Sequence, residues 1–220
     1  MFSQEWTDQY KKKKSLSKWP WSDLIVYFNK FVKLKKKSNI LELGCGMGAN
    51  IRFIKSLGHQ YYGCDASEIS INQLKKQFSD LKNNLFTFDF TQELPKMKFD
   101  VIIDRASVTH NPRESIIKAI DLSSKCLKKN GVFIGIDWFS KKSTDFKNSV
   151  KIVDIHTRKF KAKESPYFSD LGYVHFANLS DLKKIFSNFT LAHVQHKTIQ
   201  NHDYSNHQIS TWNFVAKKNV

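Results

Sequence analysis

Residues 39–50 read Asn-Ile-Leu-Glu-Leu-Gly-Cys-Gly-Met-Gly-Ala-Asn: an apolar strand running into three glycines on alternate positions, Gly44, Gly46 and Gly48, and then into a helix. Glycine tolerates positive φ and carries no Cβ, so a ligand can come against the backbone where the strand ends and the helix begins. A second strand follows and closes on Tyr61-Tyr62-Gly63-Cys64-Asp65. Its terminal carboxylate stands about twenty residues downstream, the spacing at which an acid bonds the two hydroxyls of a ribose. The pair points to a nucleoside ligand on an α/β fold.

A dinucleotide fold seats its pyrophosphate with Gly-x-Gly-x-x-Gly. Here the pattern is Gly44-x-Gly46-x-Gly48, with Glu42 two residues ahead, an acid that repels a pyrophosphate and suits a cation. Leu41-Glu42-Leu43-Gly44-Cys45-Gly46-Met47-Gly48 resembles the first motif of class I S-adenosylmethionine-dependent methyltransferases, and the whole chain, including Trp6, Tyr10, Trp19-Pro20-Trp21 and Asp137-Trp138-Phe139-Ser140, resembles their small-molecule type. The resemblance implies S-adenosylmethionine as cofactor, with the glycines beneath it and Asp65 on its ribose. It covers nearly the whole chain. Phe86-Thr87-Phe88-Asp89-Phe90 matches the third strand, which implies Asp89 at the adenine amino group and Phe90 against the ring. Phe99 to Arg105 matches the fourth strand and Gly131 to Asp137 the fifth, after a Leu-Lys-Lys-Asn-Gly turn. The implied cofactor set is Glu42, Gly44, Cys45, Gly46, Gly48, Asp65, Ala66, Ser67, Asp89, Phe90 and Arg105, joined from the amino-terminal segment by Tyr10 and Trp21.

The pattern predicts a doubly wound, seven-stranded, mostly parallel sheet with helices on both faces and an antiparallel edge hairpin. Strands are expected near 39–43, 60–64, 85–88, 99–104, 131–136, 189–199 and 208–216. Helices are expected at about 49–57, 68–79 and 112–128, with an amphipathic stretch from Trp21 to Leu34 that buries Leu24, Val26, Phe28 and Phe31, and a helix from Ser180 to Ser187. Asn111-Pro112-Arg113-Glu114 reads as a helix start, with an amide N-cap, proline in the first helical position and glutamate in capping-box position. One domain over residues 1–220 is expected: a lid and helix at 1–38, the cofactor core at 39–137, a substrate lid at 138–178, and a helix with edge strands at 179–220. Trp138 to Asn178 is long for a connection in a compact domain, and such loops are functional or disordered; its aromatics favour order.

The chain has 220 residues, 40% of them hydrophobic, enough for one core without external staples. The polar amino terminus predicts neither a signal peptide nor a membrane span, hence a cytoplasmic protein with no membrane insertion. Cys45, Cys64 and Cys126 lack metal-ligand spacing and read as reduced and uncatalytic. No metal is expected. The net charge is +16, which in general raises nucleic acid as a partner. The excess is lysine, however, and arginine, the better phosphate and base reader, occurs only as Arg52, Arg105, Arg113 and Arg158. Runs such as Lys11 to Lys14 read as solvated faces. The expected partner is a small-molecule substrate, the chain acting as a monomer or homodimer.

A sulfonium methyl is already electrophilic, so the protein must align a nucleophile, exclude water and, for a hydroxyl, remove a proton. His110, a few residues past the fourth strand, is the predicted base; a structural role shaping the turn competes with it. His110, Trp138, His175 and Arg158 are the predicted substrate contacts. Arg105 suits a carboxylate or phosphate, or a salt bridge to Asp104 or Glu42. Amino-methylating enzymes for adenine and cytosine carry Asn-Pro-Pro-Tyr or Asp-Pro-Pro-Tyr after the fourth strand, where this chain reads Asp104-Arg105-Ala106-Ser107. O-methylation of a small anionic or sugar- or nucleotide-linked metabolite is the expectation; the alternatives are RNA methylation and a silent cofactor-binding subunit.

Overall fold

The structure is a computed structural model that describes residues 4–12, 17–35, 37–149, 151–161, 163–202 and 206–219. In chain order its elements are α1 (Gln4–Lys11), α2 (Ser22–Phe31), β1 (Asn39–Leu43), α3 (Ile51–Ser56), β2 (Gln60–Asp65), α4 (Glu68–Gln77), β3 (Leu85–Thr87), β4 (Phe99–Arg105), α5 (Arg113–Cys126) and β5 (Leu127–Phe139). There follow α6 (Thr144–Asn148), β6 (Lys151–Ile152), β7 (Thr157–Lys159), β8 (Tyr173–His175), α7 (Leu179–Ile185), β9 (Phe189–Gln200) and β10 (Gln208–Lys218).

Seven strands form one sheet in the order β3-β2-β1-β4-β5-β10-β9. The first five are parallel, and β10 runs antiparallel to both β5 and β9. The expected sheet and its antiparallel edge are therefore present. Side chains alternate across it, as strand geometry requires. Leu41, Leu43, Ile102, Phe133 and Phe214 face one core with α5 and α7, while Ile40, Val101, Ile103, Ile134 and Val215 face a second with α2, α3 and α4. Chain order reverses between β1 and β4, so a crevice opens at the carboxyl ends of these strands. Among the described residues no helix is long and apolar enough to cross a membrane.

Several local expectations are corrected. Val26 is 56% exposed; α2 instead buries Leu24, Tyr27 and Phe28, the i, i+3, i+4 face. The N-cap of α5 is Pro112, not Asn111, because the first helical bond runs from the Ile116 amide to the Pro112 carbonyl. Asn111 turns its amide back to donate to the Val108 carbonyl. In line with its aromatics, the described part of residues 138–178 is structured: β6, β7 and β8 make an antiparallel sheet of their own over a small core of Phe160, Phe168, Val174 and Phe176.

Trp138 opens that segment but does not reach the crevice. It is fully buried among Phe133, Phe186 and Phe214, and its indole N–H donates to Asp104 Oδ2 at 2.6 Å. Alternation along β5 sends it into the core, so it is withdrawn as a substrate contact. Trp138→Phe keeps the ring but strips a donor from a buried carboxylate. It is expected to cost about 1–3 kcal/mol, read as a lower midpoint in urea with an unchanged m-value.

Candidate active site

A cavity of about 800 Å³ occupies the crevice, within the range of ligand pockets. Its floor is the turn after β1. Gly44 and Gly46 both hold positive φ, and a Cβ on Gly44 would stand 2.3 Å from Ser107 Cβ. The Asp65 carboxylate, at the end of β2, grips this turn by accepting from the Gly46 amide at 2.9 Å and the Ser67 amide at 2.8 Å. Tyr10 of α1 reaches the same carboxylate with its hydroxyl. Burial raises the Asp65 carboxyl despite the bonds from Ser67, Gly46, Ser70 and Tyr10.

Glu42 lies beneath, accepting from Tyr61 Oη at 2.5 Å and Asn50 Nδ2 at 2.7 Å. The Asn50 side chain lines the cavity, and its Oδ1 is buried with no hydrogen-bond partner. An orphaned carbonyl oxygen beside a carboxylate is an acceptor pair for an ammonium group, while Asp65 and Asp89 supply acceptors for hydroxyls and an amine. The acceptors gathered at this end of the cavity fit S-adenosylmethionine. Asp89 is held below the usual carboxylate range: burial opposes this, and the hydroxyl and amide of Thr91 prevail.

Burial pushes Glu42 up to about 7 from 4.5, against the bonds from Tyr61 and Asn50. A carboxyl raised by folding holds its proton more tightly folded than unfolded. Its contribution to stability is whole below about 4.5 and lost as pH rises through about 7, up to about 3 kcal/mol. The melting temperature should therefore fall between about pH 5 and pH 8, and Glu42→Gln should flatten the fall. The Tyr61 hydroxyl can turn from donor to acceptor toward Gln. An equal slope in both proteins would place the titrating group elsewhere.

The other end of the cavity is built by β4, β5, α1 and residues 138–178. His110 Nδ1 lies 3.1 Å from the Tyr173 carbonyl, which only accepts, so Nδ1 carries the hydrogen and Nε2 the lone pair. Trp6 and Phe139 meet the imidazole edge-on at 4.8 and 5.5 Å between centroids. Burial takes His110 down to about 4, with the Tyr173 bond opposing and the Arg105 charge assisting, so the ring is neutral at ordinary pH. Tyr167, Phe168, Leu171, Ile199 and Ile209 also line the cavity.

Arg105 faces neither Asp104 nor Glu42. Its guanidinium bonds Asp137 Oδ2 at 3.2 Å and lies 3.7 Å over the Trp21 ring. Lys197 bonds Asp137 Oδ1 at 3.1 Å and pairs with Asp23. Among the described residues, both cations that line the cavity are thus matched by carboxylates, and neither is left over for an anionic substrate. Of the other predicted residues, Cys45, Ala66, Phe90, Tyr10 and Trp21 line the cavity. Gly48 and Ser67 do not: a Cβ on Gly48 would strike Leu74 and Ile51, so this glycine serves helix packing, and Ser67 turns only its amide to Asp65.

His175 and Arg158 are likewise withdrawn as substrate contacts. His175 is buried against Asp181, and Arg158 stacks at 4.1 Å on Phe146 while donating to the Asp154 and Thr157 carbonyls. Asn50, Asp137 and Lys197 went unassigned. Asn50 lies beside the first motif and Asp137 lies near the carboxyl end of β5, as Asp104-Arg105 closes β4, which are usable signals; Lys197 sits on an edge strand with no local signal.

Residues 41–133 match the methyltransferase domain family. Among curated proteins, a ubiquinone biosynthesis O-methyltransferase of Pelagibacter ubique is 38% identical over 103 residues, 44% of this chain and 40% of that protein. The mRNA cap guanine-N(7) methyltransferase of Schizosaccharomyces pombe is 28% identical over 151 residues, 62% of this chain and 39% of that protein. The chain thus spans about two fifths of the length of these relatives. A SAM-dependent methyltransferase structure from Methanosarcina mazei superposes with a TM-score of 0.70 at 14% identity, covering 91% of this chain and 98% of that one. Residues 41–133 thus carry a methyltransferase domain match, on a sheet with the fold of the S-adenosylmethionine-dependent methyltransferases.

Proposed function

We propose that the chain methylates a hydroxyl of a small, largely apolar metabolite, with His110 as general base. The observation that carries the reading is the His110 tautomer: the Tyr173 carbonyl fixes the hydrogen on Nδ1 and leaves the lone pair on Nε2 of a ring that lines the cavity. S-adenosylmethionine, held by Glu42, Asn50, Asp65 and Asp89, supplies an electrophilic methyl group. His110 Nε2 then takes the acceptor hydroxyl's proton as its oxygen attacks, and the aromatic walls keep water from the neutral imidazole. Trp6, Phe139 and Phe168 favour a flat acceptor over the anionic metabolite expected from charge, since Arg105 and Lys197 are already paired. Residues 138–178 and α1 act as its lid.

A screen of phenolic, sugar-nucleotide and phosphorylated metabolite pools with the cofactor, read by mass for the gain of one methyl, tests this. Turnover confined to hydroxylated planar compounds supports it; turnover only of phosphorylated ones overturns the acceptor class. RNA methylation is the second reading, favoured by the cap methyltransferase relative. It requires RNA binding that persists at moderate salt, and a methylated transcript would establish it in place of the first.

A further inference from the structure

The geometry points to a second site, outside the cavity: His156, His175 and Asp181 form a binding site for one divalent transition metal of the zinc class. The three residues come from different elements. His156 precedes β7, His175 ends β8, and Asp181 sits in the first turn of α7. None of them lines the cavity. All three are buried, and their ligand atoms lie within 4.8 Å of one another.

Both imidazoles converge on a single carboxylate oxygen. His175 Nε2 stands 2.9 Å and His156 Nδ1 3.2 Å from Asp181 Oδ2. Ligands of a tetrahedral ion with bonds of about 2.0–2.1 Å stand about 3.3 Å apart, so small shifts would open room for an ion among them. Hydrogen bonding does not account for the cluster. His175 makes a sound bond to Asp181, but His156 Nδ1, although close, lacks the geometry for one and is a buried ring nitrogen with no hydrogen-bond partner. Such an orphan costs about 1–3 kcal/mol, and two neutral nitrogens with one carboxylate oxygen make a coherent ligand set for zinc-class ions.

The surroundings are consistent with a ligand role. To ligate through Nε2, His175 must carry its hydrogen on Nδ1, and Thr157 Oγ1 stands 3.3 Å from that atom. Metal-bound histidines regularly have such an outer partner. Arg113 holds the other oxygen, Asp181 Oδ1, at 2.7 Å and so limits the carboxylate to one coordinating atom. Its charge, with that of nearby Lys141, lowers the affinity below that of an acid-rich site. The His156 side chain keeps 8% of its surface exposed, which gives water access to a fourth position. A bound ion would tie β8 to α7. β8 also carries Tyr173, whose carbonyl orients His110.

The test is equilibrium dialysis of the chelator-stripped whole chain against Zn²⁺, with bound metal measured by elemental analysis, and against Co²⁺, whose visible spectrum reports tetrahedral coordination. About one ion per chain and a raised melting temperature are expected. His156→Ala removes a ring that stacks on His175 but whose Nδ1 makes no hydrogen bond, and it should fold. It should weaken binding by more than the roughly 10- to 100-fold that loss of an outer partner costs. Asp181→Asn, which keeps an oxygen for Arg113, is the second variant and should bind as poorly. His202→Gln, at an exposed histidine, should bind as wild type. Substoichiometric binding by the wild type, or wild-type binding by both ligand variants, overturns the site.

Discussion

Replacing His110 by Ala or Asn is expected to lower turnover by about 10²–10⁴-fold, the usual contribution of a general base, with affinity for S-adenosylhomocysteine nearly unchanged. The affinity should survive because the residues that fit the cofactor are Glu42, Asn50, Asp65 and Asp89, at the other end of the cavity. The pH profile carries more information. An ordinary histidine base gives a limb near 6.5, but burial takes His110 down to about 4. The active form is the neutral ring, so the His110-dependent rate is full at neutral pH and falls only as pH drops through about 4. A wild-type limb near 7 would instead report Glu42, raised to about 7, and would vanish in Glu42→Gln. If His110→Ala retains wild-type turnover on the best acceptor, proton removal belongs elsewhere and the imidazole only shapes the turn.

The half of the cavity proposed for the cofactor was legible in the sequence as a cluster because its pieces are local. A glycine turn, an acid at the end of β2 and an acid after β3 are each read from a few consecutive residues, and the parallel sheet fixes their spatial relation. Gly48 misled because its spacing matches its neighbours, yet its missing Cβ makes way for Leu74 and Ile51. The substrate half was less legible. Trp138 looked like a lid aromatic, but one step of strand alternation sends it into the core onto Asp104. Arg105 looked like an anion hook until Asp137, thirty-two residues on, claimed it. The pairing of His175 with Asp181 spans only six residues, yet it depends on β8 and α7 being packed together, which no periodicity encodes.

Replacing Asp65 by Ala is expected to weaken S-adenosylhomocysteine binding by about 1.5–3 kcal/mol, or roughly 10- to 150-fold, the range for hydrogen bonds to a charged group. Two effects run together. The carboxylate would no longer be there to accept from ribose hydroxyls, and the Gly46 and Ser67 amides it now satisfies would be left unpaired, loosening the turn that holds Gly44. Tyr10→Phe separates them, because it deletes one donor to Asp65 and leaves the carboxylate and both amide bonds in place. It should bind close to wild type. Asp65→Asn should fall between the two, since its amide oxygen can serve one backbone N–H while its NH₂ opposes the other. Calorimetry on variants whose circular dichroism matches the wild type makes the comparison. If folded Asp65→Ala binds with unchanged affinity, the carboxylate serves only the turn, and the ribose must be held by other acceptors in the cavity.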